Sequence, residues 1–352
     1  MPEGQPRTTV VPDEMPGSTE RSRGTRRWIR FLVIAAVVTA LAVFGLRGRL
    51  PDLGDVLAAF ADADYGWVLV AVVLQVASLG AFVLQQQLLL RSLGVRVRPG
   101  RVFAITLAAT AVAIGVPAGA AVSTVFTVRE YERAGATREA AAASVIVSGL
   151  ASIGGVALLY VLGSLTLLAG SPTHVMNWRP LLVVVGLAAI TVVATVIGRR
   201  QLRRPAPEEG TSGGTRAARW ARTALNSVRK AWRTGADVDA RDWAAALAYS
   251  TAKWFADLMC LVAAVRALGL PVSLTTIAAI YLSVQVVRQV PLTPGGIGVV
   301  DIALIAGLTA AGAGSATAGA AVLIYRLLSC WLIIPAGGLA ATTLRRAPVT
   351  AT

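Results

Sequence analysis

Charge-free apolar runs recur along this chain, and each is long enough to cross a lipid bilayer. Phe31–Leu46, Ala140–Ser171 and Leu181–Gly198 contain no Asp, Glu, Lys or Arg. With its flanks, each run spans roughly 30 Å of hydrocarbon as a helix rising about 1.5 Å per residue. A transmembrane barrel would instead alternate apolar and polar residues over roughly ten-residue strands, and no such alternation occurs. One run could be a secretory signal, but runs repeated to the end of the chain are spans. The expected fold is therefore all-α, a polytopic integral membrane protein. The low charged fraction, 14% against about 25% in a soluble domain, follows from that fold.

The net charge of +15 does not point to nucleic acid, because the arginines gather in a few short loops beside apolar runs. That is the positive-inside pattern, with anionic lipid headgroups at the cytoplasmic face as partners. Residues 1–25, rich in Pro, Gly, Ser and Thr, read as a disordered cytoplasmic tail. Residues 26–346 form the transmembrane domain, and 347–352 a C-terminal tail. Full spans are expected near Trp28–Leu46, Gly66–Leu90, Ala140–Leu168, Leu181–Gly198, Trp243–Leu268 and Ala316–Leu344. Residues 199–241 form a basic cytoplasmic loop. Within it Trp220, Ala224, Val228 and Trp232 share one helical face, as in a helix lying on headgroups. Both termini are placed in the cytoplasm, and the protein in the cell membrane.

Two apolar stretches are interrupted. Val102–Val128 breaks at Gly115-Val-Pro117-Ala-Gly119, and Leu274–Gly312 breaks at Pro291-Leu-Thr-Pro294-Gly295-Gly296. Each arm of the second is about 15–17 residues, roughly 22–26 Å, short for a full crossing. Counting basic loops makes the first stretch enter and leave on the cytoplasmic side, and the second on the outer side. Both are expected to be re-entrant hairpins. A shift of 177 residues carries Pro117-Ala-Gly119 onto Pro294-Gly-Gly296 and Ala134-Gly-Ala136 onto Ala311-Gly-Ala313. Two matched breaks on opposite sides describe an inverted repeat, the architecture of carriers whose site lies between the repeats. Proline removes a donor and glycine lets the backbone approach a ligand, so freed polar groups at that depth call for a lined or wet cavity. A packing kink is the alternative.

Ionisable groups inside apolar segments are costly, which makes each a candidate for function. Gln285, Arg288 and Asp301 flank the second break, and Arg326 lies in the final span. The two guanidiniums could grip a lipid phosphate with Asp301 as partner or proton carrier, or an Arg–Asp clamp could simply hold the hairpin. Arg129, Glu130 and Tyr131 follow the first hairpin. Lys253 and Asp257, four apart, are read as a structural ion pair. Gln85, Gln86 and Gln87 end the second span. Cys260 and Cys330 sit in apolar runs as small packers. His174 has no companion ligands, so no metal and no cofactor is expected.

The stretch Arg288-Gln-Val-Pro291-Leu-Thr-Pro294-Gly295-Gly296-Ile-Gly298-Val-Val-Asp301 closely resembles the signature of the lysylphosphatidylglycerol synthetase transmembrane-region family, a flippase-like membrane domain. Val116-Pro117-Ala-Gly119 through Tyr131, Arg133 and Gly135 is similar to that family's other segment. The acid after the glycines is usually glutamate there, and is Asp301 here. The resemblance implies lipid translocation by a stand-alone member without the synthetase domain, one not expected to make lysyl-lipid by itself. A phospholipid, an aminoacylated lipid or a polyprenyl-linked lipid would be the cargo, and a partner enzyme could supply it.

No nucleotide-binding loop and no catalytic constellation accompany these residues, so the expectation is a carrier and not an enzyme. Two other readings stand beside it. One is a non-catalytic membrane subunit that recruits partners through the basic surface helix. The other, less favoured, is an intramembrane lipid transferase with Asp301 as base.

Overall fold

The computed structural model describes residues 53–116, 118–170, 235, 238–288, 296 and 298–346, all within the unit Leu50–Thr352. The first and fourth expected spans, the tail 1–25, the amphipathic segment 216–233, Pro117, Pro294 and Gly295 lie outside the described residues. Described regular structure is helical throughout. A short α1 (Leu53–Ala61) precedes α2 (Tyr65–Ser92), α3 (Pro99–Gly115), α4 (Gly119–Arg133) and α5 (Arg138–Gly170). Then follow α6 (Ala240–Ala267), α7 (Leu274–Arg288), α8 (Val299–Ala310), α9 (Ser315–Arg326), a π turn (Leu327–Trp331) and α10 (Ile333–Arg346).

Tyr65–Ser92, Arg138–Gly163 and Ser315–Leu344 are long and apolar enough to cross a membrane. Leu69, Val73 and Val76 of α2 are exposed. An outward apolar face of this kind on a spanning helix suits lipid, not water. The main core gathers α6, α7, α8 and α9 around Leu261, Ile277, Leu304, Leu308 and Ile324. Cys260 and Cys330 are buried, packed as the sequence suggested.

The final span holds a feature the sequence did not announce. Its helix opens into a π turn at Leu327–Trp331, where the Leu332 N–H reaches back to the Leu327 carbonyl at 2.9 Å. Pro335, three residues into α10, has no N–H to offer the Trp331 carbonyl one turn earlier. A wider turn at this point loosens the helix just before the proline.

Helix boundaries repeat along the chain. Moving α2 (65–92) by 175 positions gives 240–267, the bounds of α6, and moves the start of α3 at 99 to 274, the start of α7. After the breaks the shift becomes 177. The end of α4 at 133 goes to 310, the end of α8, and the start of α5 at 138 goes to 315, the start of α9. Local geometry agrees. Gly135 has φ 97° and Gly312 φ 96°. The Ala136 N–H donates to the Tyr131 carbonyl at 3.0 Å, and the Ala313 N–H to the Leu308 carbonyl at 3.1 Å. These are equivalent Gly-centred helix ends.

Two units, α2–α5 and α6–α10, meet along α2 and α6, which run antiparallel. The Asp64 N–H, at the start of α2, donates to the Ala267 carbonyl at the end of α6, 2.7 Å away. Leu89 near the end of α2 packs in one cluster with Ala246 near the start of α6. Midway, Ser78 Oγ donates to the Lys253 carbonyl at 3.0 Å, and these residues are themselves 175 apart. Cross-packing repeats the pattern. Gly337 of α10 rests on α3, where an added Cβ would meet Leu107 O at 2.6 Å. Tyr160 of α5 donates its hydroxyl to Leu282 O of α7.

Candidate functional site

The two breaks border one cavity. Its volume is about 790 Å³, and Val116, Ala118 and Gly119 of the first break and Gly296 of the second lie on its wall. Among the described residues, Ala118 is the non-glycine residue with positive φ, 55°, and it leads directly into α4. Gly119 then approaches α3 so closely that a Cβ would sit 2.4 Å from Ala113 O and 2.6 Å from Val112 O. Gly296 has φ 69°, a conformation for which glycine carries no Cβ penalty. Small residues from both breaks thus line the same space.

Three helices turn a polar stripe toward it. α2 contributes Gln75, Ser78, Phe82 and Gln86, α4 contributes Ala120, Ser123, Thr124 and Thr127, and α5 contributes Val145, Ser148, Gly149 and Ser152. Spacings of three and four place each set on one helical face. α3 adds Thr110, and the π turn adds Ser329. Thr124 and Thr127 return their hydroxyl hydrogens to the carbonyls of Ala120 and Ser123, both at 2.8 Å. Gln86 Nε2 donates to Ser148 Oγ at 2.8 Å. Among the described residues, Gln75 Oε1, Gln86 Oε1 and Ser329 Oγ are buried without a hydrogen-bond partner. Such orphaned polar atoms beside the cavity call for an explanation.

One cation and one anion lie among the described lining residues, Lys253 and Asp257 of α6. Lys253 Nζ stands 4.1 Å from the ring centroid of Trp254 and 4.7 Å from that of Phe82. Cation–π attraction of roughly 0.5–2 kcal/mol holds the ammonium there. Trp254 is fixed in turn by its Nε1, which donates to Ser152 Oγ at 3.1 Å. Asp257, buried, accepts the hydroxyls of Tyr281 (2.6 Å) and Tyr325 (2.9 Å). Both residues, expected from the sequence as a structural ion pair, lie on the cavity wall.

The other candidates are placed elsewhere. Asp301 and Arg326 come together, with Arg326 Nε 2.6 Å from Asp301 Oδ1, and Arg326 is 3% exposed. Asp301 Oδ2 also accepts the Gly298 N–H at 2.9 Å, capping α8 at its electropositive end. Gln285 is buried on α7. Arg288 closes α7, and its side chain lies outside the described residues. In the first unit, Arg129 is exposed and Glu130 pairs with Arg133. Tyr131 is fully buried in an apolar cluster with Val83, Leu90, Val102 and Ile105. The structure thus assembles Asp301 with Arg326, but sets Arg129, Glu130 and Tyr131 apart from the cavity wall. Sequence reasoning missed the hydroxyl stripes of α4 and α5. Their signal was polar residues at helical spacing within apolar runs.

The lysylphosphatidylglycerol synthase TM region family matches residues 28–337. The chain belongs to this family. It is also 31% identical over 84 residues to a UPF0104 membrane protein of Methanothermobacter thermautotrophicus, a match spanning 24% of this chain and 25% of that relative. With its long apolar helices, this family member is a multi-pass membrane protein.

Proposed function

We propose that this family member moves a lipid between leaflets, taking the headgroup into the cavity while the acyl or prenyl tails stay in the bilayer. One observation carries the proposal: both chain breaks border a single hydroxyl-lined space that also holds Lys253 and Asp257. At about 790 Å³ it falls within the roughly 300–1,000 Å³ of small-ligand sites. A cation and a carboxylate in one wall suit an anionic or zwitterionic headgroup, with hydroxyls replacing water. Phospholipid, aminoacylated lipid and polyprenyl-linked lipid all carry the required phosphate.

Under this reading the breaks are re-entrant and the units form an inverted repeat. The antiparallel, two-fold-like contact of α2 with α6 supports that orientation, because both helices are long enough to run along the membrane normal. The protein then works as a carrier in the cell membrane, without catalysis, and a partner enzyme can supply or consume its cargo.

Reconstitution in liposomes with fluorescently labelled lipids tests this. Wild-type protein should equalise label between leaflets faster than empty liposomes, and Lys253→Gln or Thr124→Leu should slow it. Wild-type rates equal to those of empty liposomes, for all three lipid classes, would refute the proposal. Formation of a new covalent lipid product would point instead to a transferase.

A further inference from the structure

We infer that Asp257 is a proton-binding site of the cavity, and that proton uptake there accompanies entry of an anionic lipid phosphate. The inference rests on the headgroup site proposed above and adds a coupling ion to it.

Asp257 lies on the cavity wall and is 6% exposed. A carboxylate that deep needs partners for its charge. Both of its partners are phenols. Tyr281 of α7 and Tyr325 of α9 donate to the same oxygen, Oδ2, at 2.6 and 2.9 Å. Among the described residues, no hydrogen bond reaches Oδ1 and no cation pairs with this carboxylate. The neighbouring charges are engaged with other groups. Lys253, one turn earlier on α6, sets its ammonium over Trp254 and Phe82, and Arg326, next to Tyr325, pairs with Asp301 of α8. The remaining titratable neighbour on α6 is the buried thiol of Cys260. α2, α5 and the π turn present uncharged residues to the wall, among them Gln75, Ser78, Ser148, Ser152 and Ser329.

Phenols suit both protonation states, since a hydroxyl donates to the carboxylate and still bonds to the neutral acid. Oδ1 takes the proton: hydronium in the cavity yields it, one O–H bond forms, and no bond of the lipid breaks. A phosphate entering beside an ionised Asp257 would place two like charges in one wall. Phosphate binding and proton binding therefore favour each other. Lys253 supplies the attraction, and the proton removes the repulsion. The same proton takes charge assistance away from the two phenol bonds. Those bonds tie α6 to α7, which leads to the second break, and to α9, which continues into the π turn. Gly296 and Ser329 of these two segments are on the cavity wall. Proton occupancy is thus connected to the segments that shape the cavity.

The test is binding of a fluorescently labelled phosphatidylglycerol to detergent-solubilised full-length protein between about pH 5 and about pH 8, where the phosphodiester stays ionised. A His174→Gln background removes the sole histidine, a side chain that titrates in this range. Affinity should fall with rising pH by up to about tenfold per unit, the limit for uptake of one proton. Asp257→Asn, a fixed mimic of the neutral acid, should bind at every pH as tightly as the Asp257 protein does at the acid end. A merely structural Asp257 predicts otherwise: weaker binding in Asp257→Asn, with the pH slope retained. If Asp257→Asn does not fold, Tyr325→Phe decides, because loss of one donor to the carboxylate should carry the sloping region to higher pH. Binding by the Asp257 protein that is flat with pH or undetectable, a slope that survives Asp257→Asn, or one that Tyr325→Phe leaves in place overturns the inference. Binding that follows pH without exchange between leaflets would keep it and sink the translocase reading. Exchange in liposomes with pH-flat binding would do the reverse.

Discussion

Gly119→Ala isolates the contact on which the first break depends. The added methyl would lie 2.4 Å from Ala113 O, 2.6 Å from Val112 O and 2.8 Å from the Ala113 carbonyl carbon. All three are backbone atoms of α3, so no side-chain rotation relieves the overlap. Contacts below 3.0 Å are essentially never made by a real Cβ, so α4 must withdraw from α3 by about 0.6 Å or more. Overpacking of this kind costs about 1–3 kcal/mol. Gly115, four residues earlier at the end of α3, provides the control, because a Cβ there meets nothing within 4 Å. Gly115→Ala should gain about 0.5–1 kcal/mol through the lower entropy of the unfolded chain. The two variants are chemically identical, share one break, and should move stability in opposite directions. Thermal unfolding of detergent-solubilised protein, followed by tryptophan fluorescence, measures both. A midpoint for Gly119→Ala at or above that of Gly115→Ala would show that α3 and α4 do not meet as described.

Asp257→Ala should cost about 1–3 kcal/mol, since it removes the acceptor of two buried hydrogen bonds from Tyr281 and Tyr325; Asp257→Asn, which keeps an acceptor, should cost less in the same unfolding assay. Asp301→Ala alone should destabilise by about 3–5 kcal/mol by leaving Arg326 buried beside a lost partner. Asp301→Thr/Arg326→Gly should cost less than that single change, and simple additivity would show the pair to be uncoupled. Lys253→Met keeps the stem against Phe82 and Trp254 but removes the charge. Fluorescence titration with a labelled anionic lipid should then show weaker binding than wild type with an unchanged unfolding midpoint, and equal binding would remove Lys253 from the site. Gly337→Val places bulk 2.3 Å from Ala111 Cβ and 2.6 Å from Leu107 O, so α10 should detach from α3; loss of a disulfide engineered between those helices would report it, and undiminished cross-linking would contradict the contact.

Helices were legible in the sequence because lipid leaves so few alternatives, and the described spans begin and end within a few residues of the apolar runs. The breaks were legible too, since Pro117-Ala-Gly119 and Pro294-Gly-Gly296 carry explicit backbone chemistry. The matching bounds of α2 and α6 were not, because their offset is 175 and not the 177 that aligns the two breaks. The hydroxyl-rich wall of the cavity was missed for a different reason. Attention to ionisable groups led to Asp301, Arg326 and Glu130, each of which found a protein partner. The wall is made mostly of serine, threonine, alanine and glycine, which carry no charge signal and differ from packing residues only by sharing a helical face.

Those same small residues decide what can move. Between helices in lipid no hydrophobic force draws apolar faces together, so association rests on close packing and on polar contacts. A Cβ added at Gly155 of α5 would lie 2.9–3.0 Å from the backbone of Ser250 and Thr251 on α6, and one added at Gly337 of α10 would lie 2.6 Å from Leu107 O of α3. Each of these interfaces binds a helix of one unit to a helix of the other. α5 is therefore tied to α6, and α3 to α10. Any rearrangement that closes the cavity must carry α10 along with α3, through the π turn that contains Ser329. The extra backbone freedom of that turn is located where such coupled movement would need it, and Ser329 on the cavity wall would register the change.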